Sequence, residues 1–331
     1  MSLYDAGEEL SMRYVVTGGA GFIGSHLVDY LVYRLKADEV VVIDNLSSGS
    51  PRNIEMHIDA GVVRLIKADL SKRGEWEKGL KGADIVFHYA ANPEVRISSV
   101  EPGIHFENNV VATFNVLEAM RLGDVDKLVF ASSSTVYGEP SVIPTPEDYH
   151  PLKPISIYGA SKLASEVLIQ VYSELYGFKA LILRYANIIG ARSDHGVIVD
   201  FINKLRTNPS RLEILGDGTQ RKSYLHVSDA VEATMHLAVN KLNSMHGVDV
   251  YNVGNHDWVT VTEIADIIVE EMGLGRVDYV FKKTTPDGRG WPGDVKLMLL
   301  DIRKLESTGW KPRLSSRDAV RRTVRELLGK T

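Results

Sequence analysis

A tyrosine and a lysine stand four residues apart in the segment Ser156-Ile-Tyr-Gly-Ala-Ser-Lys162, at Tyr158 and Lys162. Residues at this spacing share one face of an α-helix, so both side chains can point into the same cleft. A phenol with its ordinary pKa of about 10 is a poor base at neutral pH, but a nearby ammonium stabilises the phenolate and lowers that pKa. The two residues are therefore a candidate proton-transfer pair, although an ordinary helical pair has the same spacing.

Three serines, Ser132, Ser133 and Ser134, follow directly after the apolar run at residues 127–131. If that run is a parallel strand, the serines lie at the sheet edge where open α/β sheets bind ligands. A hydroxyl there can hold a substrate oxygen beside the tyrosine. A serine-rich turn is the plainer interpretation of the same residues.

A glycine-rich segment, Thr17-Gly-Gly-Ala-Gly-Phe-Ile-Gly24, lies between a β-branched run and a helical pattern. The three-residue spacing of Gly18, Gly21 and Gly24 suits a tight turn whose backbone approaches a pyrophosphate, with the following helix packed close to the strand. The N-terminus of that helix supplies N–H groups and partial positive charge for the phosphates. A tight turn that binds no ligand is the alternative interpretation of these glycines.

An aspartate, Asp44, ends the next apolar run twenty residues after Gly24. At this distance a carboxylate can accept hydrogen bonds from an adenosine ribose, and it would repel a 2′-phosphate. Its neighbours Asn45 and Leu46 are not basic. The residues therefore predict NAD rather than NADP as the cofactor, with a turn or cap residue as the alternative role for Asp44.

These residues must be positioned by a sheet whose strands are buried on both faces. Near-continuous apolar runs alternate with helical patterns, which is typical of a parallel sheet covered by helices. We therefore predict an α/β fold, a doubly wound, Rossmann-like parallel sheet followed by a smaller mixed α/β substrate domain. The predicted strands lie at residues 13–17, 39–44, 62–66, 84–88, 127–131 and 180–184.

Composition narrows the function to small-molecule chemistry. The 331 residues carry a formal net charge of -5, which gives no electrostatic reason to expect nucleic acid or an anionic membrane as a partner. No apolar run approaches the roughly 20 residues that span a bilayer. The ten histidines show no metal-site spacing and there is no cysteine, so we expect no metal. A cytoplasmic location is the default expectation.

Taken together, the glycine loop, Asp44, the strand-end serines and the Tyr/Lys pair resemble the extended short-chain dehydrogenase/reductase family. That family uses a Ser or Thr, a Tyr and a Lys in catalysis, and the register against Thr135-Val-Tyr-Gly138 implies that these are Ser133, Tyr158 and Lys162. Within the family the chain is most similar to the UDP-glucose (UDP-galactose) 4-epimerases of archaeal and bacterial type. Segments that carry this likeness include His88-Tyr-Ala-Ala-Asn-Pro93, Glu107-Asn-Asn-Val110, Arg184-Tyr-Ala-Asn187, Gly218-Thr-Gln-Arg-Lys-Ser-Tyr224 and Gly290-Trp-Pro-Gly-Asp294.

The resemblance extends the two predicted binding sites. The predicted NAD site comprises Gly18, Gly21, Phe22, Ile23, Gly24, Asp44, Asn45, Ser47, Gly49, Asp69, Leu70, Ala90, Ala91, Asn109, Tyr158 and Lys162. The predicted substrate site comprises Ser133, Ser134, Tyr158, Asn187, Val197, Lys222, Arg289, Asp294 and Met298.

Two positions depart from the family pattern. Arginines that usually clamp the diphosphate are replaced by Lys222 and Trp291, which leaves open whether Arg221, Lys222 or Arg289 binds it. Met298 falls where family members carry a large or a small residue that excludes or admits an N-acetyl group, and methionine does not decide between them. Related dehydratases carry an Asp-Glu pair after the catalytic hydroxyl, where this chain has Ser134 and Thr135, which argues against water elimination.

The resemblance implies NAD-dependent 4-epimerisation of a UDP-hexose through a transient 4-keto sugar, in galactose metabolism. A UDP-N-acetylhexosamine or UDP-glucuronate 4-epimerase, or an oxidoreductase of the same family, is the alternative, and a non-catalytic NAD-binding scaffold protein is a remote one. The implied domains are a disordered lead at 1–11, an NAD-binding domain at 12–190 rejoined by about 224–255, and a nucleotide-sugar-binding domain at 191–223 and 256–331. Helices at about 106–122 and 158–176 resemble those that pair in family homodimers.

Overall fold

The computed structural model describes residues 12–330, so the predicted disordered lead at 1–11 lies outside the described residues. Along this range the strands are β1 (Arg13–Thr17), β2 (Glu39–Asp44), β3 (Val63–Lys67), β4 (Ile85–His88), β5 (Lys127–Ser133), β6 (Lys179–Tyr185), β7 (Asn187–Ile189), β8 (Arg211–Leu215), β9 (Arg221–Lys222), β10 (Tyr224–His226), β11 (Val248–Val253), β12 (Val259–Thr260), β13 (Asp278–Lys282) and β14 (Leu297–Met298).

The α-helices of the same range separate these strands. They are α1 (Phe22–Tyr33), α2 (Glu55–Asp59), α3 (Gly103–His105), α4 (Ala112–Leu122), α5 (Ile157–Tyr176), α6 (Val197–Thr207), α7 (Val227–Lys241), α8 (Val261–Glu271), α9 (Arg303–Glu306) and α10 (Ser316–Leu327). A π-helical turn, Phe106–Val111, joins α3 to α4, and 3₁₀ turns lie at Pro51–Asn53, Glu75–Leu80, Val95–Ser99 and Ser134–Tyr137.

A seven-stranded parallel sheet in the order β11-β6-β5-β4-β1-β2-β3 forms the centre of the fold. Alternate residues of its strands face opposite sides, because the side-chain period of a strand is two. Val16 packs on one side with α1 and α7, whereas Val15 packs on the other with α4 and α5. Apolar side chains are thus needed at successive positions, which explains the continuous apolar runs and confirms the predicted doubly wound sheet.

The strand order reverses between β1 and β4. From β1 the chain adds β2 and β3 on one side, and then crosses to place β4 on the other side of β1. The connections after two neighbouring strands therefore diverge, which leaves a crevice at their carboxyl ends. The glycine loop after β1 and the Ala90 segment after β4 lie at this crevice.

The chain after β6 builds the smaller mixed part of the fold. It contributes the pairs β10-β7 and β13-β8 and the three-stranded sheet β12-β9-β14. Helices α6, α8 and α10 enclose a separate apolar core that includes Phe201, Ile268 and Val320. The chain also returns to the large sheet, where β11 pairs with β6. Among residues 12–330, no helix combines the length and apolar character that crossing a membrane requires.

Candidate active site

A single cleft of about 920 Å³ runs along the carboxyl ends of the large sheet and under the smaller part. Its walls include Gly18 after β1, Asp44 at the end of β2, Ser133 at the end of β5 and Tyr158 near the start of α5. At the other end it reaches Lys222 on β9. The cleft therefore brings the predicted cofactor, catalytic and substrate residues to one continuous surface.

The glycine loop approaches the backbone that follows β4. Gly18 has a φ of +68°, and a Cβ atom there would lie 2.7 Å from the nitrogen of Ala90. A Cβ atom at Gly24 would collide with the carbonyl oxygen of Gly18. Helix α1 starts directly behind Gly21, so its positively polarised N-terminus lines the cleft. This is a cradle that suits a pyrophosphate.

Asp44 is buried at the end of β2. Its Oδ2 accepts a hydrogen bond from the N–H of Ala20 at 3.0 Å, and its Oδ1 accepts one from the N–H of Leu46 at 2.8 Å. Burial raises the pKa of Asp44, and these two backbone bonds oppose that rise. A carboxylate has further lone pairs with which it can accept ribose hydroxyls. Gly49, a predicted cofactor residue, lies behind this carboxylate, since a Cβ atom there would be 3.0 Å from Oδ2. It is not among the residues that line the cleft, so its contact with the cofactor stays a prediction.

The remaining nucleotide side of the cleft is built from short loops after the strands. It is lined by Asn45, Ser47, Asp69, Leu70, Ala90 and Ala91. The Oδ1 atom of Asp69 accepts hydrogen bonds from the N–H and the hydroxyl of Ser71, at 3.0 and 2.7 Å. With the cradle and Asp44, these residues fit a dinucleotide. Within the described chain, no group of three or more acidic or histidine side chains is arranged to hold a metal ion.

Asn109, a predicted cofactor residue, is not among the residues that line the cleft, and its contact with the cofactor stays a prediction. It lies in the π-helical turn behind the cleft wall, where its Oδ1 accepts a hydrogen bond from the N–H of Asn92 at 2.8 Å. Its Nδ2 donates to the hydroxyl of Ser161 at 2.8 Å. The side chain therefore ties the segment after β4 to α5, and its amide is already engaged instead of facing a ligand.

The three predicted catalytic residues meet in the middle of the cleft. Ser156 caps α5, accepting a hydrogen bond from the N–H of Gly159 at 3.0 Å, so Tyr158 is the second residue of the helix. The hydroxyl of Tyr158 is hydrogen-bonded to Ser133. The ammonium nitrogen of Lys162 donates to the carbonyl of Ala131 at 2.7 Å and lies 5.9 Å from the ring of Tyr158.

Burial dominates the electrostatics of this group. It raises the pKa of Tyr158 to about 12, while the hydrogen bond to Ser133 acts in the opposite direction. It lowers the pKa of Lys162 to about 7, against the attraction of Glu166. The net pKa of Tyr158 therefore lies above its ordinary value, because the effect of burial is the largest. Of the two residues, it is therefore Lys162, and not Tyr158, whose pKa lies close to neutral pH.

Most, but not all, of the predicted substrate residues line the other end of the cleft. Ser134, Asn187, Val197, Lys222, Asp294 and Met298 line it. Arg289 does not: its guanidinium is hydrogen-bonded to Asp287 and Glu139 and donates to the carbonyl of Asp294 at 2.8 Å. Arg289 is thus engaged by acidic partners outside the cleft lining, and its contact with the substrate stays a prediction.

Two other cationic side chains that could bind the diphosphate lie near Trp291. Lys222 and Arg96 lie 5.5 and 5.8 Å from the centre of this indole, and both line the cleft. Arg221 instead lies over the ring of Trp258, in a separate small surface depression. Sequence reasoning missed Arg96 and also Arg192, which lines the cleft from the loop before α6, because no local pattern marks either residue.

Comparisons with known proteins agree with this geometry. A sequence profile of the NAD dependent epimerase/dehydratase family matches residues 14–254. A putative UDP-glucose 4-epimerase of Methanocaldococcus jannaschii is 39% identical over 316 residues, which cover 94% of this chain and 96% of that protein. A crystal structure of a UDP-galactose 4-epimerase is 51% identical, with a TM-score of 0.85 over 96% of this chain and 99% of that one.

A third comparison carries a different substrate in its name. A UDP-N-acetylglucosamine 4-epimerase from Methanobrevibacter ruminantium, solved with UDP-N-acetylmuramic acid, is 33% identical, with a TM-score of 0.83. The alignment covers 97% of this chain and 99% of that chain. The same scaffold thus accommodates different UDP-sugars, so the similarity supports a nucleotide-sugar enzyme more directly than it supports one particular sugar.

Proposed function

The chain belongs to the NAD dependent epimerase/dehydratase family, and from that premise we propose that it interconverts UDP-galactose and UDP-glucose as a 4-epimerase that keeps NAD bound. One observation carries the proposal. Tyr158 is hydrogen-bonded to Ser133 and lies one helical turn from buried Lys162, in the cleft that also contains Asp44. An alcohol oxidation needs such a proton-transfer group next to a dinucleotide site.

NAD would be held by the glycine loop and the N-terminus of α1 at its pyrophosphate and by Asp44 at its adenosine ribose, with Asp69 and Leu70 beside the adenine. When bound, it supplies the chemistry of accepting a hydride from C4 of the sugar and returning it. The loop residues Ala90 and Ala91 leave room for the pyrophosphate because their side chains are small.

As the phenolate, Tyr158 takes the proton from the sugar 4-hydroxyl and becomes the neutral phenol, which later returns the proton. Ser133 holds that oxygen beside the tyrosine, which sets the direction of transfer. Lys162, as an ammonium, stabilises the phenolate before the proton is taken. Because burial raises the tyrosine pKa to about 12, the phenolate needs this neighbouring positive charge in order to be present before transfer.

The UDP part of the substrate anchors the molecule while the 4-keto sugar turns over. Asn187 and Lys222 lie in the cleft where they can bind the diphosphate, and Val197, Asp294 and Met298 complete that end. Binding energy placed on the nucleotide leaves the sugar free to present its opposite face. Residues 12–190 with about 224–255 would carry the cofactor, and 191–223 with 256–331 the sugar nucleotide.

The side chains that follow Ser133 support epimerisation over dehydration. Ser134 is the next residue, and the hydroxyl of Thr135 donates to the Ser133 oxygen at 2.9 Å. Hydroxyl groups at these two positions cannot supply the acid and base that eliminate water. UDP-N-acetylhexosamine and UDP-glucuronate 4-epimerisation are the alternative activities, because they use the same proton transfer.

A homodimer fits the surface of α4 and α5. Apolar side chains are exposed on these adjacent helices, at Phe114, Val167, Val171 and Leu175. On α5 the last three are spaced four residues apart, so they form one ridge. A contiguous apolar patch of this kind marks an association surface, and a second copy of the chain offers the matching ridge.

Replacement of Tyr158 by phenylalanine tests the proposed activity. It removes the transferable proton while keeping the ring, and should lower kcat for UDP-galactose by about a hundred- to ten-thousand-fold. Tyr176→Phe, at the exposed end of the same helix, is the matched control and should behave as the parent. Parent-like turnover by Tyr158→Phe would refute the mechanism. Absence of turnover in the parent, tested with UDP-glucose, UDP-glucuronate and UDP-N-acetylhexosamines, would favour a scaffold protein.

A further inference from the structure

A buried carboxylate lies one helical turn beyond the catalytic lysine. Tyr158, Lys162 and Glu166 are spaced four residues apart on α5, so they share one face of the helix. Glu166 is only 2% exposed. A buried carboxylate is costly unless it is paired, and the mechanism derived above gives it no task.

This helix face contacts three consecutive residues at the end of β5. Lys162 donates to the carbonyl of Ala131 at 2.7 Å, and Glu166 accepts a hydrogen bond from the hydroxyl of Ser132. Tyr158 is hydrogen-bonded to Ser133. Glu166 therefore fixes the residue that lies between the lysine's acceptor and the catalytic serine.

Arg184 on β6 is the ion-pair partner of Glu166 in the interior. Its guanidinium donates to both carboxylate oxygens, at 3.1 and 2.7 Å. The two side chains are 5% and 3% exposed. Arg184 is itself held by the hydroxyl of Tyr137 at 2.9 Å and the carbonyl of Glu147 at 3.0 Å. The bidentate pair therefore fixes the Glu166 carboxylate on the face of α5 that carries Lys162.

We propose that Glu166 is a positioning residue of the active site, which keeps Lys162 as an ammonium directed at Tyr158 and holds the end of β5 that carries Ser133. The inference rests on the proposed function, since it takes Tyr158 and Lys162 as the proton-transfer pair. Glu166 itself is not among the residues that line the cleft.

Among the groups that face Lys162 from each packed element, Glu166 is the one that stabilises its ammonium form. These groups are Tyr158 and Glu166 on α5, His88 on β4, His105 on α3, and Phe130 and the Ala131 carbonyl on β5, with Arg184 on β6 bonded to Glu166. Burial lowers the pKa values of both histidines, so they stay neutral near pH 7. Burial lowers the pKa of Lys162 to about 7, and the charge of Glu166 is what raises it.

The test is an NMR titration of Lys162 in protein labelled with ¹³C at the lysine Cε, with the signal assigned by its loss in Lys162→Met. In Glu166→Gln the Lys162 midpoint should fall by about one pH unit relative to the parent. Arg184→Lys is the matched control: it disturbs the same ion pair but keeps both charges, so the midpoint should stay at the parent value. Coinciding midpoints in Glu166→Gln and parent would overturn the proposal, as would an equal fall in Arg184→Lys.

A second variant covers the case in which Glu166→Gln alone does not fold, as judged by circular dichroism. In Glu166→Gln/Arg184→Gln two amides can hydrogen-bond to each other, and the midpoint should still fall, whereas a parent-like midpoint would refute the proposal. Epimerase assays should show the alkaline loss of activity at lower pH in both variants. If the parent has no epimerase activity, the proposed function fails, while the NMR midpoints still decide whether Glu166 tunes Lys162.

Discussion

The ammonium nitrogen of Lys222 lies 2.5 Å from a carboxylate oxygen of Asp294, and both side chains line the cleft. The ion pair with Asp294 therefore fixes the position of the Lys222 side chain in the cleft. Arg289, the other cation that the sequence favours, is bonded to Glu139 and Asp287 instead. The structure thus distinguishes Lys222, which lines the cleft, from Arg289, which does not, whereas the sequence alone favours neither over the other.

Lys222→Met should weaken UDP binding about tenfold, because a charge-assisted hydrogen bond to the diphosphate is lost. Uridine, which has no phosphate, should bind as it does to the parent. Arg289→Met is the matched control and should change the UDP affinity much less. Titration calorimetry with UDP and uridine measures both effects, and equal losses in the two variants would return Arg289 to the diphosphate site.

Asp44→Ala should change which dinucleotide is bound. The carboxylate that would accept the ribose hydroxyls and repel a 2′-phosphate is removed, so we expect the ratio of NAD to NADP affinity to fall at least about tenfold. The measurement is the amount of each dinucleotide retained after the variant is incubated with both and desalted. The ratio within one protein serves as its own control, and an unchanged ratio would contradict the role of Asp44.

His88 should make the folded protein less stable as the pH falls. It is buried between the hydroxyls of Thr17 and Thr113, at 2.6 and 3.0 Å, and burial followed by the charge of Lys162 lowers its pKa to about 3. In the unfolded chain a histidine titrates near 6.5. Between about pH 6.5 and pH 3 the unfolded state therefore binds the proton first, and stability contributed by neutral His88 is lost at about 1.4 kcal/mol per pH unit.

Urea unfolding of the parent and of His88→Gln between pH 4.5 and 7 checks this sign. The variant should show a flatter dependence of the unfolding free energy on pH, whatever its absolute stability. His150→Gln, at an exposed histidine, is the control and should keep the parent slope. A parent slope in His88→Gln would show that other groups cause the acid sensitivity.

Short sequence patterns predict many of the strands, turns and helix starts of this fold, because these features depend on residues that are close together in the chain. The strand before Gly18 and the strand ending in Asp44 have the predicted bounds, and Ser156 starts α5 just before Tyr158. Contacts between segments that are far apart in the chain leave no such local pattern. Arg289 is drawn out of the cleft by Glu139, 150 residues away in the chain. The return of β11 to the large sheet likewise depends on its pairing with β6.

Glu166 is an instructive intermediate case. Its spacing from Tyr158 and Lys162 is visible in the sequence, so the shared helix face could be inferred. What could not be inferred is its ion pair with Arg184, because that residue lies on a strand 18 positions further along. A buried carboxylate is costly unless it is paired, so the arginine is what makes this glutamate tolerable in the interior.

The apolar ridge on α5 should control assembly. Glu substitutions at Val171 and Leu175 place charges in the proposed interface and should convert a dimer to a monomer at micromolar concentration, measured by sedimentation velocity. Val239→Glu, an equally exposed apolar position on α7, should leave the parent mass unchanged. A monomeric parent, or a dimeric Val171→Glu/Leu175→Glu variant, would contradict the interface.

Met298 should decide how well an N-acetylated sugar fits. It is 7% exposed, lines the cleft, and packs with Val136 and Tyr137 of the 3₁₀ turn that follows β5. Met298→Ala opens space there, so kcat/KM for UDP-N-acetylgalactosamine relative to UDP-galactose should rise about tenfold. The same cavity should cost about 2–5 kcal/mol of stability, so the assays belong well below the unfolding temperature. Leu297→Ala, on the exposed side of the same strand, is the control. If both sugars change in parallel, or if Leu297→Ala shifts the ratio equally, the sugar is selected elsewhere in the cleft.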